Sequence, residues 1–357
     1  MTIFISIASY RDPQIIKTIR SILDNADNPE QIHFGIVSQE SRGNHPDLSW
    51  ISNKARVVEM HYKEARGAGY ARKLCMELYD GQDYFLQIDS HMRFSKSWDS
   101  KLIKMLKKAQ EIDGSKKIIL SQFPAPYMVL TDNSDHYLKN DKSFWDRPSW
   151  TTVESTWGGF WSGARQEIED LSLPHKTHTL LAGYIFSTGK LVEEVPYDER
   201  ISFMGEELCF AIRAYTRGWE LYAPNEMVCW HFYKREEDPK IWKDNIMSRS
   251  WSEIEMYSQK VQKNVLLGIE KGVFGVGDVK RYHEYQKMIG INFAKFYKEE
   301  LHDRVNLGTV SREIIFDDNF NLLEITKSGY CNNNLHVDCA KNDICMCHCH
   351  DEVLSES

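Results

Sequence analysis

The chain has 357 residues, of which 42% are hydrophobic, enough for the core of one large α/β catalytic domain with a C-terminal extension. Its net charge of −8 and sequence pI of 5.9 argue against the broad basic surface of a strong nucleic-acid binder. The sequence contains no run of about 18 apolar residues, and Arg11 interrupts the first apolar run too early for a signal peptide. We therefore expect a soluble, cytoplasmic protein without a membrane span.

The first part of the chain alternates between short apolar strands and amphipathic helices. A strand predicted at Ile3–Ala8 precedes a predicted helix at Gln14–Leu23, whose apolar residues recur at helical spacing. Alternation of this kind continues and indicates a Rossmann-like, mostly parallel sheet flanked by helices. The later predictions in this part are strands at Ile32–Ser38, Ala55–His61 and Asp83–Ile88 and a helix at Gly69–Tyr79.

The second part of the chain is less regular in pattern. A strand predicted at Ile118–Phe123 leads into Pro124–Pro174, which we predict to be irregular, either as an acceptor loop or lid or as a long surface insertion. A helix is predicted at Glu207–Arg217, and Trp242–Leu301 has a helical pattern that suits packing on the core. The predicted domains are a catalytic domain at 1–240, a helical extension at 241–305 and an appendage with a Cys/His-rich tail at 306–357.

Metal-binding residue types follow the predicted strand that ends at Ile88. Asp89 and His91, at positions i and i+2 of an extended turn, point to the same side and suit Mn²⁺ or Mg²⁺. His231 follows another apolar run and is a candidate third ligand, because ligand sites in such sheets lie beyond the carboxyl ends of the strands. The alternative is that Asp89 and His91 only form a turn and that His231 is a core or surface residue.

Two carboxylates, Glu206 and Glu207, stand at the start of a predicted helix. Acidic residues there favour the helix dipole, which is a sufficient structural reason for them. The functional alternative is that one of them binds sugar or acceptor hydroxyls or acts as a base toward the acceptor.

The C-terminal tail is rich in soft metal ligands. Its spacing is irregular for a zinc finger, so a structural Zn²⁺ site, adventitious metal binding and disulfides all stay open. The candidate zinc ligands are Cys331, Cys339, Cys345, Cys347, His348, Cys349 and His350.

Five sequence blocks, in matching order, resemble one family of enzymes. The blocks are SIASYRDP, ARGAGYARKL, DYFLQIDSHMRF, LLAGYIFSTGK and MGEELCFAIRAYTRGWELYAPNEMVCWHFY. They resemble the GlcNAc-transferase family of cytoplasmic hydroxyproline-directed enzymes and, more distantly, the polypeptide N-acetylgalactosaminyltransferases. The resemblance implies a GT-A fold, a UDP-sugar donor, a divalent metal held by a DXD-like motif, and transfer with retention of anomeric configuration.

The resemblance also implies roles for individual residues. The metal ligands are Asp89 and His91 of the D-x-H motif and the later histidine, His231. The residues implied to bind the sugar donor are Ser9, Tyr10, Arg11, Arg66, Arg72, Asp89, Ser90, Ala182 and Gly183. The residues implied to act in catalysis are Arg72, Glu206 and Glu207.

Retention restricts the mechanism. A double displacement needs a nucleophilic carboxylate on the sugar face opposite the leaving group, and no residue can be placed there from the sequence. Front-face attack needs no such residue, because the departing phosphate takes the acceptor proton. In that mechanism Glu206 or Glu207 positions groups and need not be a strict base.

The family favours GlcNAc as the sugar and a protein or glycan hydroxyl as the acceptor. One alternative is a glycosyltransferase acting on modified nucleic acid, for which a local basic groove on one helix could compensate for the negative net charge. Another is a non-catalytic protein that binds sugar nucleotides or serves as a scaffold. The lysines of that groove would be Lys101, Lys104, Lys107 and Lys108.

Overall fold

The computed structural model describes residues 1–130, 134–137, 147–156, 159–235, 237–245 and 249–298, together with two short strands at 315–316 and 322–324. The chain divides into two compact units, Met1–Tyr285 and Gln286–Ser357. Among the described helices, none combines the length and the apolar character needed to span a bilayer. The predicted zinc ligands of the tail lie outside the described residues, and the predicted domain boundaries stay predictions.

The strands of the first unit are short and spread along its whole length. In chain order they are β1 (Ile3–Tyr10), β2 (Ile32–Glu40), β3 (Ala55–His61), β4 (Tyr84–Asp89), β5 (Met92–Phe94), β6 (Ile118–Leu120), β7 (Ala125–Val129), β8 (Asp135–Tyr137), β9 (Ser149–Thr156), β10 (Gly159–Glu167), β11 (His175–Lys176), β12 (Tyr184–Thr188), β13 (Glu220–Ala223) and β14 (Cys229–His231). In the second unit, β15 (Ile315–Phe316) pairs antiparallel with β16 (Leu322–Glu324).

Helices alternate with these strands. They are α1 (Ile15–Asn25), α2 (Ala68–Glu77), α3 (Trp98–Asp113), α4 (Lys190–Glu194), α5 (Glu206–Tyr215), α6 (Ile241–Asp244), α7 (Arg249–Leu266) and α8 (Val279–Ile289). Helix α7 lies against α5, and the Oγ atom of Ser258 accepts a hydrogen bond from the backbone N–H of Ser202 at 2.8 Å.

The central sheet has eight strands in the order β11-β13-β6-β12-β4-β1-β2-β3. Strand β1 lies between β2 and β4 and is parallel to both, so the carboxyl ends of these three strands meet at one edge. Strand β12 is antiparallel to both of its neighbours. The predicted Rossmann-like sheet flanked by helices is confirmed, with antiparallel strands added to its parallel half.

The core of the sheet follows from two periodicities. Ile3, Ile5 and Ile7 alternate along β1 and are buried in the same cluster as Ile19 and Ile22 of α1. Alternate strand residues face the same side, whereas helix residues three apart share a face, so both sets meet. Burial of each such side chain stabilises the fold by roughly 1.5–3 kcal/mol, and together they fix the edge at which β1 ends.

The prediction that Pro124–Pro174 is irregular is wrong for the part of this segment that the structure describes. Strands β9 and β10 pair antiparallel, with a register shift between Ser162 and Arg165. Thr151 and Val153 of β9 are buried, two residues apart, as expected when one face of a strand packs inward. This short alternation is not evident in a sequence so rich in Trp, Ser and Gly. The extended conformation depends instead on the pairing of β9 with β10.

Candidate functional site

A cavity of about 450 Å³ lies at the edge where β1 and β4 end. In the parallel pairing of these strands Ala8 is opposite Asp89, so the loops that follow both strands face the same space. Many of the predicted site residues line it, namely Tyr10, Arg72, Asp89, Ser90, His91, Ala182, Gly183, Glu206, Glu207 and His231.

Three of the predicted residues that bind the sugar donor lie elsewhere. In the described part of the chain, Ser9, Arg11 and Arg66 do not line this cavity. The carbonyl of Ser9 accepts a hydrogen bond from the Gln39 side chain at 3.2 Å. The guanidinium of Arg66 lies 5.0 Å from the ring centroid of Tyr70.

Asp89, His91 and His231 come together because two short strands pair. Strand β5 begins directly after His91 and is antiparallel to β14, with Met92 opposite His231. The Nε2 atoms of His91 and His231 lie 2.9 Å apart, and Asp89 Oδ2 lies 3.1 Å from His231 Nε2. One ligand atom from each of the three residues lies within 4.8 Å of the others.

Asp12 orients His91, although the sequence analysis did not single it out. Its Oδ2 lies 2.7 Å from Nδ1 of His91 and accepts a hydrogen bond from Ser90 Oγ at 2.6 Å. With Nδ1–H donating to the carboxylate, the Nε2 lone pair of His91 faces the cluster, an arrangement typical of metal-bound histidines. Burial raises the pKa of Asp12, but His91 and Arg235 outweigh it and hold the pKa well below its usual range.

The donor set fits a divalent ion. Neighbouring corners of an octahedron with metal–ligand distances of about 2.1 Å lie about 3 Å apart, close to the 2.9 and 3.1 Å between these protein atoms. Two imidazole nitrogens with one carboxylate suit a transition-metal ion such as Mn²⁺ better than Mg²⁺, which prefers oxygen ligands. Burial lowers the pKa of His231 to about 4, so its ring is neutral and able to bind a metal.

Arg72 of α2 connects this cluster to the acidic pair at the start of α5. Its Nη2 donates to Asp89 Oδ1 at 2.9 Å, and its Nη1 donates to Glu206 Oε1. The side chain is only 8% exposed. Burial lowers the pKa of Arg72, but Glu206, Tyr197 and Asp89 raise it well above the ordinary value, so the guanidinium stays charged.

Glu206 has more negative neighbours than the single arginine can neutralise. Burial raises the pKa of its carboxyl to about 7 against the effect of Arg72, and the charges of Glu207 and Asp89 add to the increase. Its Oε2 is buried and has no hydrogen-bond partner among the described residues. The capacity of this oxygen to accept a hydrogen bond is therefore unmet by the described residues.

Glu207 holds the turn that faces Asp89. Its Oε1 accepts a hydrogen bond from the backbone N–H of Ala182 at 2.7 Å, and burial raises the pKa of its carboxyl. Gly183, which follows Ala182, is adjacent to the candidate metal site of Asp89, His91 and His231, since a Cβ atom there would lie 2.6 Å from Asp89 Oδ2. Glycine thus permits the close approach of this turn to the carboxylate.

The loop after β1 is fixed by α6. The Tyr10 hydroxyl and Arg11 Nη1 both donate to Asp244 Oδ2, each at 2.8 Å. The Arg11 guanidinium also lies 4.5 Å from the ring centroid of Tyr62. Arg11 has a φ of 48°, which is uncommon for a residue other than glycine, so this loop stores backbone strain beside the cavity.

Gln39 of β2 lines the cavity and lies opposite Tyr10 in the pairing of β1 with β2. Its side chain is buried, and its Nε2 donates to Ser9, whereas its Oε1 has no partner among the described residues. Asp12, Gln39 and Arg235 were all missed by the sequence analysis. Asp12 and Gln39 lie at the ends of β1 and β2, and this position at the carboxyl edge was a usable signal.

Comparison with known proteins identifies a family and a fold. The sequence profile of the family described as "Glycosyltransferase (GlcNAc)" matches residues 2–55 and 44–296, which is more than half of the chain. The crystal structure of GalNAc-T7 with UDP, GalNAc and Mn²⁺ has a similar fold, with a TM-score of 0.51 and 12% identity over 86% of this chain. The chain spans 58% of the length of that structure. Comparison with curated proteins gives no match.

Two structures of S. aureus TarS are also similar. TarS gives a TM-score of 0.47 and 12% identity over 85% of this chain and 43% of that one. TarS 1–349 in complex with UDP-GlcNAc gives a TM-score of 0.45 and 13% identity, over 86% of this chain and 74% of that one. The predicted GT-A fold is confirmed by the family match and the likeness to GalNAc-T7, and the predicted enzyme class, a glycosyltransferase, is confirmed by the family match. The chain belongs to the glycosyltransferase (GlcNAc) family.

Proposed function

We propose that this enzyme is a metal-dependent, retaining glycosyltransferase that moves GlcNAc from UDP-GlcNAc to a hydroxyl of a protein or glycan. The observation that carries the proposal is the meeting of Asp89, His91 and His231 in the cavity that also contains Glu206. The family description supports GlcNAc as the sugar. The similar fold of GalNAc-T7, crystallised with UDP, GalNAc and Mn²⁺, supports a nucleotide-sugar donor and a divalent ion.

The phosphate end of the sugar donor would lie at the metal cluster. A divalent ion held by Asp89, His91 and His231 would stabilise the negative charge that develops on the departing diphosphate. Arg72 adds a fixed positive charge beside it, because its guanidinium already contacts Asp89. Preorganised charges of this kind favour the transition state more than the ground state.

The uracil end would lie beside Tyr10 and Gln39. The amide nitrogen of Gln39 is held by Ser9, which fixes the amide with its unpartnered Oε1 at the cavity wall. A free acceptor suits the imide N–H of uracil, and the ring of Tyr10 offers an aromatic surface to the base.

The sugar would lie between Gly183 and Glu206. The unpartnered Oε2 of Glu206 is suited to accept a hydrogen bond from a sugar hydroxyl. The absence of a side chain at Gly183 keeps the space beside Asp89 open. Glu207 acts through the turn, because its carboxylate holds the backbone of Ala182.

The carboxylates of the cavity favour front-face transfer. Among the described residues that line it, Asp89 and Glu206 contact Arg72, and Glu207 contacts a backbone N–H. Each carboxyl group is bound by the protein through at least one oxygen, and the unpartnered Oε2 of Glu206 belongs to a carboxyl group whose pKa is raised to about 7. A double displacement needs an ionised carboxylate that is free to attack the sugar. We therefore propose that the departing phosphate takes the acceptor proton and that Glu206 positions the sugar.

A nucleic-acid acceptor is not supported by the position of the basic helix. Lys101 and Lys104 of α3 line a groove of about 960 Å³ that also contains Ile3, the first residue of β1. Ala8, which lies opposite Asp89, is five residues further along β1, so at about 3.3 Å per residue the groove lies about 17 Å from Asp89. A hydroxyl group bound in the groove itself would therefore lie too far from the cluster to accept the sugar.

The experiment that tests the proposal is hydrolysis of a panel of UDP-sugars, with Mn²⁺ or with a chelator, by wild type and Asp89→Asn. We expect Mn²⁺-dependent release of UDP from UDP-GlcNAc, reduced about a hundredfold or more in the variant, since a metal ligand is lost. Asp80→Asn is the matched control, because Asp80 is exposed and its carboxylate pairs with Arg56 on the surface. No metal-dependent turnover together with no UDP binding in calorimetry would refute the proposal.

A further inference from the structure

We propose that Arg235 donates a hydrogen bond to the metal-binding nitrogen of His91, Nε2, when no ion is bound. A divalent ion must then displace the guanidinium of Arg235 to reach this nitrogen. Arg235 would then be a positioning residue whose side chain exchanges with the metal. This inference rests on the proposed metal site of the proposed function, and it concerns how that site is held before the ion arrives.

The guanidinium of Arg235 makes three contacts in the site. Its Nη1 lies 3.1 Å from Nε2 of His91, and its Nη2 lies 3.0 Å from Oδ2 of Asp12. Its Nε donates to Asp238 Oδ2 at 2.8 Å. The side chain is 11% exposed, so these contacts are largely shielded from water.

The lone pair of His91 can serve only one of the two cations. Nδ1 of His91 donates to Asp12, which leaves Nε2 with a single lone pair as the acceptor. A guanidinium has N–H donors and no acceptor, so Arg235 uses that lone pair when it donates to Nε2. A metal ion needs the same lone pair, and the two positive charges would repel at this distance.

The same contact explains how the site persists without an ion. Asp12 and Asp89 are carboxylates on either side of the histidines, and their mutual repulsion would spread the cluster. Arg235 offsets the charge of Asp12 and holds the ring of His91, as an ion would. Asp238 keeps the displaced guanidinium near the cavity, because the Asp238 carboxylate binds Nε of Arg235 and not the Nη1 that contacts His91.

The test is the affinity for Mn²⁺ of the protein without sugar donor, measured by electron paramagnetic resonance of the free ion and by calorimetry. Removal of a charged hydrogen bond that competes with the ion should tighten Mn²⁺ binding by Arg235→Ala about tenfold. The Mn²⁺ affinity of Arg235→Lys should lie between those of wild type and Arg235→Ala, because a single ammonium group replaces the two Nη groups of the guanidinium. Melting curves establish that each variant is folded.

Lys240→Gln is the matched control. Lys240 lines the same cavity, but in the described structure it forms no hydrogen bond or ion pair with His91 or Asp12. Its replacement removes one positive charge without freeing the histidine. Equal tightening in Lys240→Gln and Arg235→Ala would mean that only the general charge of the cavity matters, which would overturn the exchange.

Added guanidinium chloride, below denaturing concentrations, gives a second readout. It should weaken Mn²⁺ binding by Arg235→Ala, because the free ion refills the vacated position, and leave wild type unchanged. Mn²⁺ binding by Arg235→Ala that is unchanged or weaker would overturn the proposed exchange between Arg235 and the metal. If wild type binds Mn²⁺ and Asp89→Asn does not, the proposed metal site itself still stands. If neither wild type nor Arg235→Ala binds Mn²⁺, the exchange and the proposed metal site both fall.

Discussion

Gly183 matters at the residue scale because of the atom that it does not have. A methyl group there would lie 2.6 Å from Asp89 Oδ2, closer than a Cβ atom normally approaches an oxygen. In Gly183→Ala the carboxylate must therefore move away from the turn. A shift of a few tenths of an ångström in a metal ligand alters the geometry on which affinity depends.

We predict that Gly183→Ala binds Mn²⁺ at least about tenfold more weakly than wild type, as measured by calorimetry. The melting temperature without metal should change by only a few degrees, because the clash is relieved by a movement of the Asp89 side chain and not of the backbone. An unchanged Mn²⁺ affinity would show that the carboxylate does not need the space beside Gly183.

The carboxyl of Glu206 makes stability depend on pH. Its pKa is raised from 4.5 to about 7 in the folded protein, mainly by burial. The folded state therefore binds this proton more tightly than the unfolded state. The contribution of the neutral carboxyl is fully present below about 4.5 and is lost as the pH rises toward about 7.

We predict that Glu206→Gln gains stability relative to wild type between these two pH values, by about 3 kcal/mol, and that the difference is constant above them. The measurement is urea unfolding at several pH values in the presence of a chelator. The loss of the ion pair with Arg72 adds an offset, so the slope and not the absolute difference is informative. A difference independent of pH would contradict the prediction.

At the scale of elements, α6 fixes the loop after β1 through one side chain. Asp244 accepts hydrogen bonds from Tyr10 and Arg11, and the left-handed conformation of Arg11 is held partly by this contact. The side chains of Arg11 and Asp244 are both partly exposed, so their ion pair adds little to the stability of the fold. Its main effect is to fix the position of the Tyr10 ring at the cavity wall.

We predict that Asp244→Ala weakens UDP binding severalfold, measured by calorimetry with Mn²⁺, because the proposed base-binding ring becomes mobile. The free energy of unfolding should fall by only about 1 kcal/mol. Asp80→Ala, which removes a surface ion pair with Arg56, should leave UDP binding unchanged. Equal UDP affinity in the two variants would argue against a role for the α6 contact.

The elements also show where the sequence was sufficient. Strand β3 was predicted at its observed bounds, and β1 and β4 within two residues, because apolar runs followed by polar loops are strong local signals. Asp89 and His91 were singled out for the same reason, because Asp89 ends β4 and His91 follows two residues later. Strands β9 and β10 were missed, since only their pairing with each other stabilises the extended conformation.

At the scale of the whole molecule, the limits of the sequence lie in contacts between distant segments. That Asp12 supports His91 depends on the register of β1 and β4. That Arg235 reaches the same two residues depends on the pairing of β14 with β5. A polar residue near a strand end has many structural uses, so only the assembled sheet distinguishes these two from their neighbours.

The pairing of β5 with β14 has a consequence for how the enzyme matures. His231 and Asp89 are 142 positions apart in the chain, so the proposed metal site closes a long loop of the first unit. A chain synthesised only as far as α5 has the turn, the acidic pair and Arg72 but lacks the second imidazole. High-affinity metal capture should thus come late in folding, after the chain has returned to the edge where it began.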